Sequence, residues 1–116
     1  SLMFVYVLHM SKISLTRDEA VRRLQTVESD IRRLGVRRLA LFGSVIRNEA
    51  RSDSDVDVLV EFVPQTFDRF MALADLLEDT LEHRVELVTT ESLSPFVGPH
   101  ILTEATDVFE PHNYLR

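Results

Sequence analysis

Cysteine is absent from this 116-residue chain, and glycine and proline are scarce, with three and four residues. Without cysteine the chain can form neither disulfide bridges nor thiolate metal sites, which is compatible with a reducing cytoplasm, where we expect the protein to act. With 45% hydrophobic and 28% charged residues, the composition is that of a folded domain rather than a disordered segment. The length is that of one domain with its own core, and we predict a single domain over residues 1–116.

An excess of positive charge is also lacking. The formal net charge is −6, whereas sequence-independent binding to nucleic acid requires a basic surface. Nucleic acid is therefore not expected as a partner, and an anionic ligand must be met by local cations and backbone N–H groups. The apolar run from Leu2 to Leu8 is too short to span a bilayer and lacks the basic start of a secretory signal, so no membrane association is expected.

Residues 1–9 have two interpretations. They form an added strand or interface element, or they are translated sequence upstream of a natural start at Met10. Both interpretations stay open at this point. Residues 110–116 are predicted to form a frayed tail, because terminal residues without apolar anchors are commonly poorly ordered.

Between the ends, helical and strand patterns alternate. Thr16 and Glu19 form a capping box at the start of a helix predicted to run to Leu34, and Gly35 is the predicted stop. The other predicted elements are strands over residues 36–42, 55–61 and 84–88 and helices over residues 67–81 and 101–105. A helix between the second and third strands favours a parallel pair, and the short link between the first two permits an antiparallel pair. We predict an α/β (α+β) fold, with helices packed on one face of a small mixed β-sheet.

Two short motifs in the middle of the chain suggest chemistry. Gly43-Ser44 follows an apolar strand, where glycine lets the backbone approach a ligand and a helical turn over residues 44–47 would direct N–H groups at a phosphate. Asp55 and Asp57 are two residues apart on a strand, so their side chains share one face. Their mutual repulsion would be relieved by a cation such as Mg²⁺. Taken alone, each motif also has a plain structural interpretation, as a capped turn and as an acidic strand face.

Three further residues extend these motifs. Glu86 lies on the outward face of the third predicted strand, and if that strand is adjacent to the one carrying Asp55 and Asp57, the three carboxylates converge and could hold two metal ions. Arg47 and Arg51 lie in the connection between the turn and the aspartates, where arginine can neutralise a polyphosphate. A surface role is the alternative for each arginine. The four histidines form no pair at metal-ligand spacing.

At these positions the chain resembles the DNA polymerase β-like nucleotidyltransferase superfamily. More narrowly, it resembles the minimal nucleotidyltransferases (MNT) that act as antitoxins beside HEPN-domain toxins. The signature of the superfamily is a Gly-Ser turn, a connection, an Asp-x-Asp motif followed by apolar residues, and a later acid on another strand. Gly43, Ser44, Asp55, Asp57 and Glu86 stand at these places. The IL-x-EA segment over residues 101–105 also suits the minimal type.

The chain departs from the family pattern in two respects. After Gly-Ser the family often has a small residue followed by Arg-Gly, and here Ile46 and Asn48 stand in the places of the small residue and the glycine. Asparagine tolerates left-handed backbone, so we expect the turn to be retained. Glu86 replaces the commoner aspartate and is one methylene longer, which bears on the geometry of a second metal.

The resemblance implies transfer of a nucleoside monophosphate from an NTP to a hydroxyl group, with release of pyrophosphate. The implied donor is ATP, the transferred group AMP, and the implied cofactor one or two Mg²⁺ ions. The implied catalytic and metal-binding residues are Asp55, Asp57 and Glu86. The implied nucleotide-binding residues are Gly43, Ser44, Arg47 and Arg51.

The resemblance also implies a partner. In the antitoxin branch the acceptor is a tyrosine hydroxyl of the HEPN-domain toxin. Because the chain has no added acceptor-binding domain, we expect the acceptor to be small or to dock as a partner protein, in a homo- or hetero-oligomer. Two alternatives remain, namely a catalytically weak or inactive binding module that neutralises the toxin by masking it, and a free-standing nucleotidyltransferase acting on a small molecule or an RNA end.

Overall fold

The computed structural model describes residues 15–51 and 53–110. The helices are α1 (Arg17–Gln25), α2 (Glu28–Arg33), α3 (Phe67–Leu81) and α4 (Gly98–Glu104), and the strands are β1 (Val36–Phe42), β2 (Val56–Phe62), β3 (Val85–Thr89) and β4 (Thr106–Asp107). Within this part of the chain no helix is long and apolar enough to cross a bilayer. The predictions for residues 1–9 and, except for Glu110, for the tail over residues 110–116 lie outside the described residues.

The four strands form one mixed sheet in the order β3-β2-β1-β4. β1 and β2 are antiparallel and β2 and β3 are parallel, as predicted, with α3 as the crossover between the parallel strands. The sequence patterns do not predict β4, which pairs antiparallel with β1. A strand of two residues is too short to produce an alternating pattern. The mixed sheet with its helices confirms the predicted fold class.

The main core lies between the helices and one face of the sheet. Alternate residues of β1 and β2 enter one buried cluster with the helices. Its largest fully buried members are Leu24, Ile31, Leu39, Leu41, Val45, Val56, Val58, Val60, Leu73, Leu77 and Leu81. Ala40 and Leu59 are buried too but lie outside this cluster, because side chains alternate between the two faces of a strand. Asp57 shares the parity of Leu59, so it lies on the face opposite the main core.

The predicted continuous helix up to Leu34 is wrong, because the segment forms two helices. α1 begins at the predicted cap, where Thr16 Oγ1 accepts the N–H of Glu19 at 3.2 Å. It ends before Thr26, whose hydroxyl donates to the carbonyl of Arg23 at 2.5 Å, and such side-chain bonds to the backbone compete with regular helix. The apolar periodicity continues across the break, which is why the pattern alone predicts one helix.

Gly35 ends the helical segment, as predicted. Its φ is +85°, a left-handed conformation that glycine adopts without steric cost. A Cβ at this position would overlap the guanidinium of Arg69 and lie 3.1 Å from the carbonyl oxygen of Val63. Gly35 therefore satisfies both a backbone requirement and a close packing requirement at the start of β1.

Candidate functional site

A tight turn connects β1 to the segment that leads to β2. Gly43 has a φ of +73°, and Val45 is fully buried and anchors the turn in the core. The N–H of Ile46 donates to the carbonyl of Gly43 at 3.1 Å. The helical turn predicted for residues 44–47 is thus a 3-10 turn over Gly43–Val45.

Asn48 extends this turn in the expected backbone conformation. Its φ is +56°, which confirms that asparagine here adopts the left-handed conformation that glycine favours. Its Oδ1 accepts the N–H of Arg17 at 2.9 Å. Because that N–H belongs to the first residue of α1 and has no partner within the helix, Asn48 attaches the turn to the first helix.

The Gly43 turn and Asp57 are in direct proximity. Phe42 is paired with Asp57 across β1 and β2, and a Cβ at position 43 would overlap Asp57 Oδ2 and lie 3.1 Å from Asp57 Cγ. Only glycine leaves room for the carboxylate at this point. The two motifs of the sequence are therefore parts of one site.

The structure also brings two of the three predicted acids together. Asp57 and Glu86 are register partners in β2 and β3. The pKa of Asp57 is raised from 3.8 to about 6, first by burial, then by the charge and hydrogen bond of Glu86 and by the charge of Asp55. Asp55 itself precedes β2 and is more exposed, and its Oδ1 lies 3.4 Å from Arg84 Nε. An exposed ion pair of this kind contributes little stability and can readily give way to another ligand.

These carboxylates fit a divalent cation. Among residues 15–51 and 53–110, no three His, Asp or Glu side chains form a ready-made metal cluster. Of the three predicted acids, Asp57 and Glu86 contact each other, and Asp55 lies near enough for its charge to act on Asp57. All the donors are oxygen atoms, which Mg²⁺ prefers in proteins. The raised pKa of Asp57 reflects, after burial, like-charge repulsion from Glu86 and Asp55, and a bound cation would offset that repulsion.

The two predicted phosphate-binding arginines have different environments. Arg47 Nη1 lies 2.5 Å from Glu104 Oε2 and Arg47 Nε lies 3.1 Å from Glu49 Oε1. The charge of Arg47 also opposes the rise in the pKa of Asp57, which places the guanidinium within electrostatic reach of that carboxylate. Arg51 is exposed, and within the described part of the chain it forms no ion pair with them.

Glu104, to which the sequence motifs give no role, also contributes its carboxylate to the site. Oε1 accepts the backbone N–H of Gly43, which is 61 positions away in the sequence, and Oε2 accepts from Arg47 Nη1. The hydrogen bond with Glu104 raises the pKa of Arg47. The only sequence signal is the position of Glu104 in the IL-x-EA segment, because spacing carries no information on a contact between such distant residues.

Known proteins resemble this chain in both sequence and fold. Residues 24–113 match the family described as polymerase beta, nucleotidyltransferase. The chain is 39% identical over 97 residues to the protein adenylyltransferase MntA of Thermococcus cleftensis, which covers 81% of this chain and 97% of that protein. A solved structure assigned as a minimal nucleotidyltransferase has a TM-score of 0.71 and 36% identity over 79% of this chain and 95% of its own.

A toxin–antitoxin structure with AMP-PNP has the same fold, with a TM-score of 0.62 and 21% identity over 77% of this chain and 72% of its own. At that identity the likeness concerns the fold alone. The family match extends over most of the chain and includes the Gly43 turn, Asp57 and Glu86. This chain therefore belongs to the polymerase beta nucleotidyltransferase family and is a nucleotidyltransferase of the minimal type.

Proposed function

We propose that this nucleotidyltransferase transfers AMP from ATP to a hydroxyl group of a HEPN-domain toxin and thereby acts as its antitoxin. The observation that carries the proposal is the position of Asp57, which contacts the Gly43 turn on one side and Glu86 on the other. Phosphate-binding and metal-binding elements are thus adjacent. The choice of AMP and of a protein acceptor is supported by the protein adenylyltransferase relative, and the choice of toxin by the resemblance of the sequence motifs.

In this proposal the acids have distinct roles. Asp55, Asp57 and Glu86 supply oxygen ligands for one or two Mg²⁺ ions, which neutralise phosphate charge and lower the pKa of the acceptor hydroxyl when bound. Glu86, which is more exposed than its partner Asp57, also accepts the proton of the acceptor hydroxyl. The acceptor oxygen forms a bond to the α-phosphorus of ATP, the bond to pyrophosphate breaks, and the leaving pyrophosphate takes the bonding electrons.

The turn and Arg47 hold the β- and γ-phosphates in this proposal. Gly43 permits close approach of the backbone, and Ser44 adds a hydroxyl donor. The guanidinium of Arg47 offers a planar set of donors that matches phosphate oxygens and opposes the charge that develops on the leaving pyrophosphate. Arg51 remains a prediction as a second cation.

The proposal is tested by incubating the protein with ATP labelled at the α-phosphate, Mg²⁺ and the toxin-like protein encoded beside it. We expect label on the toxin, loss of label when EDTA removes Mg²⁺, and a hetero-oligomer of the two proteins by light scattering. Inhibition of the toxin by a stable complex without any label would favour masking instead. Label on RNA or on a small hydroxylated compound, but not on the toxin, would favour the free-standing enzyme.

Metal binding is expected to depend on pH through Asp57. Because the carboxylate form is the ligand and the pKa of Asp57 is about 6, affinity for Mn²⁺ as a probe should fall by about tenfold per unit as pH drops below 6. Titration of Mn²⁺ at pH 5.0 and pH 7.5, followed by electron paramagnetic resonance, measures this. The Asp57→Asn variant should bind weakly with a flatter pH dependence. Equal affinity of the wild type at both pH values would contradict the assignment.

A further inference from the structure

We infer that Glu104 is a positioning residue, which holds the Gly43 turn and Arg47 in the arrangement that the nucleotide requires without itself contacting the substrate. This inference rests on the proposed function. Its basis is the pair of contacts made by one carboxylate, in which Oε1 accepts from the Gly43 N–H and Oε2 accepts from Arg47 Nη1 at 2.5 Å. Bonds to charged groups of this type are stronger than neutral ones.

The register of the sheet explains why Glu104 reaches Gly43. Ala40 pairs with Asp107 and Leu41 with Thr106 in the antiparallel β1–β4 ladder, and continuing this register puts Glu104 opposite Gly43. Glu104, however, is the last residue of α4 and precedes β4, so its backbone is not part of the ladder. Its side chain therefore satisfies the Gly43 N–H where a backbone carbonyl would otherwise continue the ladder.

The segment that carries Glu104 is firmly attached to β1. Arg38 Nε lies 2.7 Å from Asp107 Oδ1, and the N–H of Val108 donates to the carbonyl of Leu39 at 2.9 Å. Val108 is also buried in the main core. The carboxylate of Glu104 thus extends from backbone whose position is set by the hydrogen bonds to β1 and by apolar packing, as a residue that orients another group requires. The partly exposed Arg38–Asp107 ion pair adds little to this attachment.

Glu104 reaches the Gly43 turn from the edge of β1 opposite to the acids, which favours a positioning role over competition with the substrate. Asp57 is on the β2 side of β1, opposite Phe42, whereas Glu104 reaches the turn from the β4 side. The acids and Glu104 therefore flank the turn from opposite edges. Without Glu104, the ion pair left to Arg47 among residues 15–51 and 53–110 would be the one with the exposed Glu49. The guanidinium would then lose the restricted orientation that makes binding efficient.

A positioning residue and a carboxylate that competes with the phosphates of ATP predict opposite changes in the affinity for Mg²⁺-ATP. The variants Glu104→Gln and Glu104→Ala distinguish the two roles. If Glu104 is a positioning residue, either substitution should raise the KM and Kd for Mg²⁺-ATP by on the order of tenfold, with a smaller change in kcat. Asp107→Asn is the matched control, because it loosens the same segment without removing a contact to the turn, and its KM should stay within about twofold of wild type. Tighter ATP binding by either Glu104 variant would mean that the carboxylate occupies a phosphate position, and would overturn the inference.

A double-mutant cycle tests whether Glu104 acts through Arg47. If it does, Glu104→Ala should add little to the increase in KM caused by Arg47→Ala, because coupled residues give non-additive effects. Fully additive effects, or an unchanged KM and Kd in both Glu104 variants, would overturn the inference while leaving the proposed function intact.

A spectroscopic measurement keeps the inference testable if the proposed function fails. In ¹⁵N-labelled protein the Gly43 amide proton and the Arg47 Nε–H should both shift on Glu104→Gln, since the charged acceptor of one and the ionic partner of the other are replaced. These resonances should change little on Asp107→Asn. A wild-type protein that binds no nucleotide would refute the proposed function, and unshifted resonances would separately refute the positioning role of Glu104.

Discussion

The Asp57→Asn variant is expected to lose nucleotidyl transfer by on the order of 10³-fold, which is the upper end of the loss when one preorganised electrostatic group is removed. The effect is large because the same carboxylate lies against the Gly43 turn and contacts Glu86. Asparagine keeps the shape but loses the charge that would bind a metal. Transfer of α-phosphate label to the partner, measured at saturating Mg²⁺-ATP, gives the rate.

The same substitution is expected to leave the protein at least as stable as wild type. The pKa of Asp57 is raised to about 6 in the folded protein, so the folded state binds a proton more tightly than the unfolded state, and the stability of the wild type falls as pH rises from 4 to about 6. Above that window the charged carboxylate is unfavourable. After discounting for solvent screening, its removal should stabilise the fold by about 1 kcal/mol at neutral pH without metal.

Glu61→Gln is the matched control for Asp57→Asn, because Glu61 lies on the same strand and the same face and is not one of the three acids. Its transfer rate should equal that of the wild type, and its pH profile of unfolding should keep the wild-type decline between pH 4 and 6. Thermal unfolding at several pH values, with EDTA present, checks both variants. A fully active Asp57→Asn protein would refute the assignment of the site.

Gly43→Ala is expected to reduce transfer by about 10²-fold and to destabilise the fold by about 1–3 kcal/mol, the cost of one residue forced into a sparsely populated backbone region. The φ of Gly43 is +73°, and the added Cβ would overlap Asp57 Oδ2. The carboxylate must therefore move away from the position it needs, and small displacements of reacting groups can lower rates by about two orders of magnitude. Transfer rates and thermal unfolding of the same samples measure the two effects.

Gly35→Ala separates strain from chemistry in this experiment. Gly35 has a similar φ of +85° at the opposite end of β1, and a Cβ there would overlap the guanidinium of Arg69 rather than a site residue. We expect a comparable loss of stability with a transfer rate close to that of the wild type at a temperature where both variants are folded. If Gly35→Ala reduced transfer as much as Gly43→Ala, the loss would reflect general strain and not displacement of Asp57.

Local patterns predicted much of the fold. The helix predicted over residues 67–81 has the observed bounds of α3, because the apolar periodicity that predicts it is a pattern of residues within a few positions of one another. The alternation of aspartate and valine in β2 likewise placed the valines in the core and Asp57 on the other face. The same patterns missed the break between α1 and α2, since one threonine hydroxyl bonded to a backbone carbonyl leaves the periodicity unchanged.

The sequence by itself determined which kinds of residue form the site, because a Gly-Ser turn and alternating acids on a strand are defined by neighbouring residues. Only the tertiary structure decided how these pieces meet. The parallel register made Glu86 the partner of Asp57, the antiparallel register set Asp57 against Gly43, and the β1–β4 pairing brought Glu104 to the turn. Strand register depends on the combined packing of distant segments, and no spacing within one segment reports it.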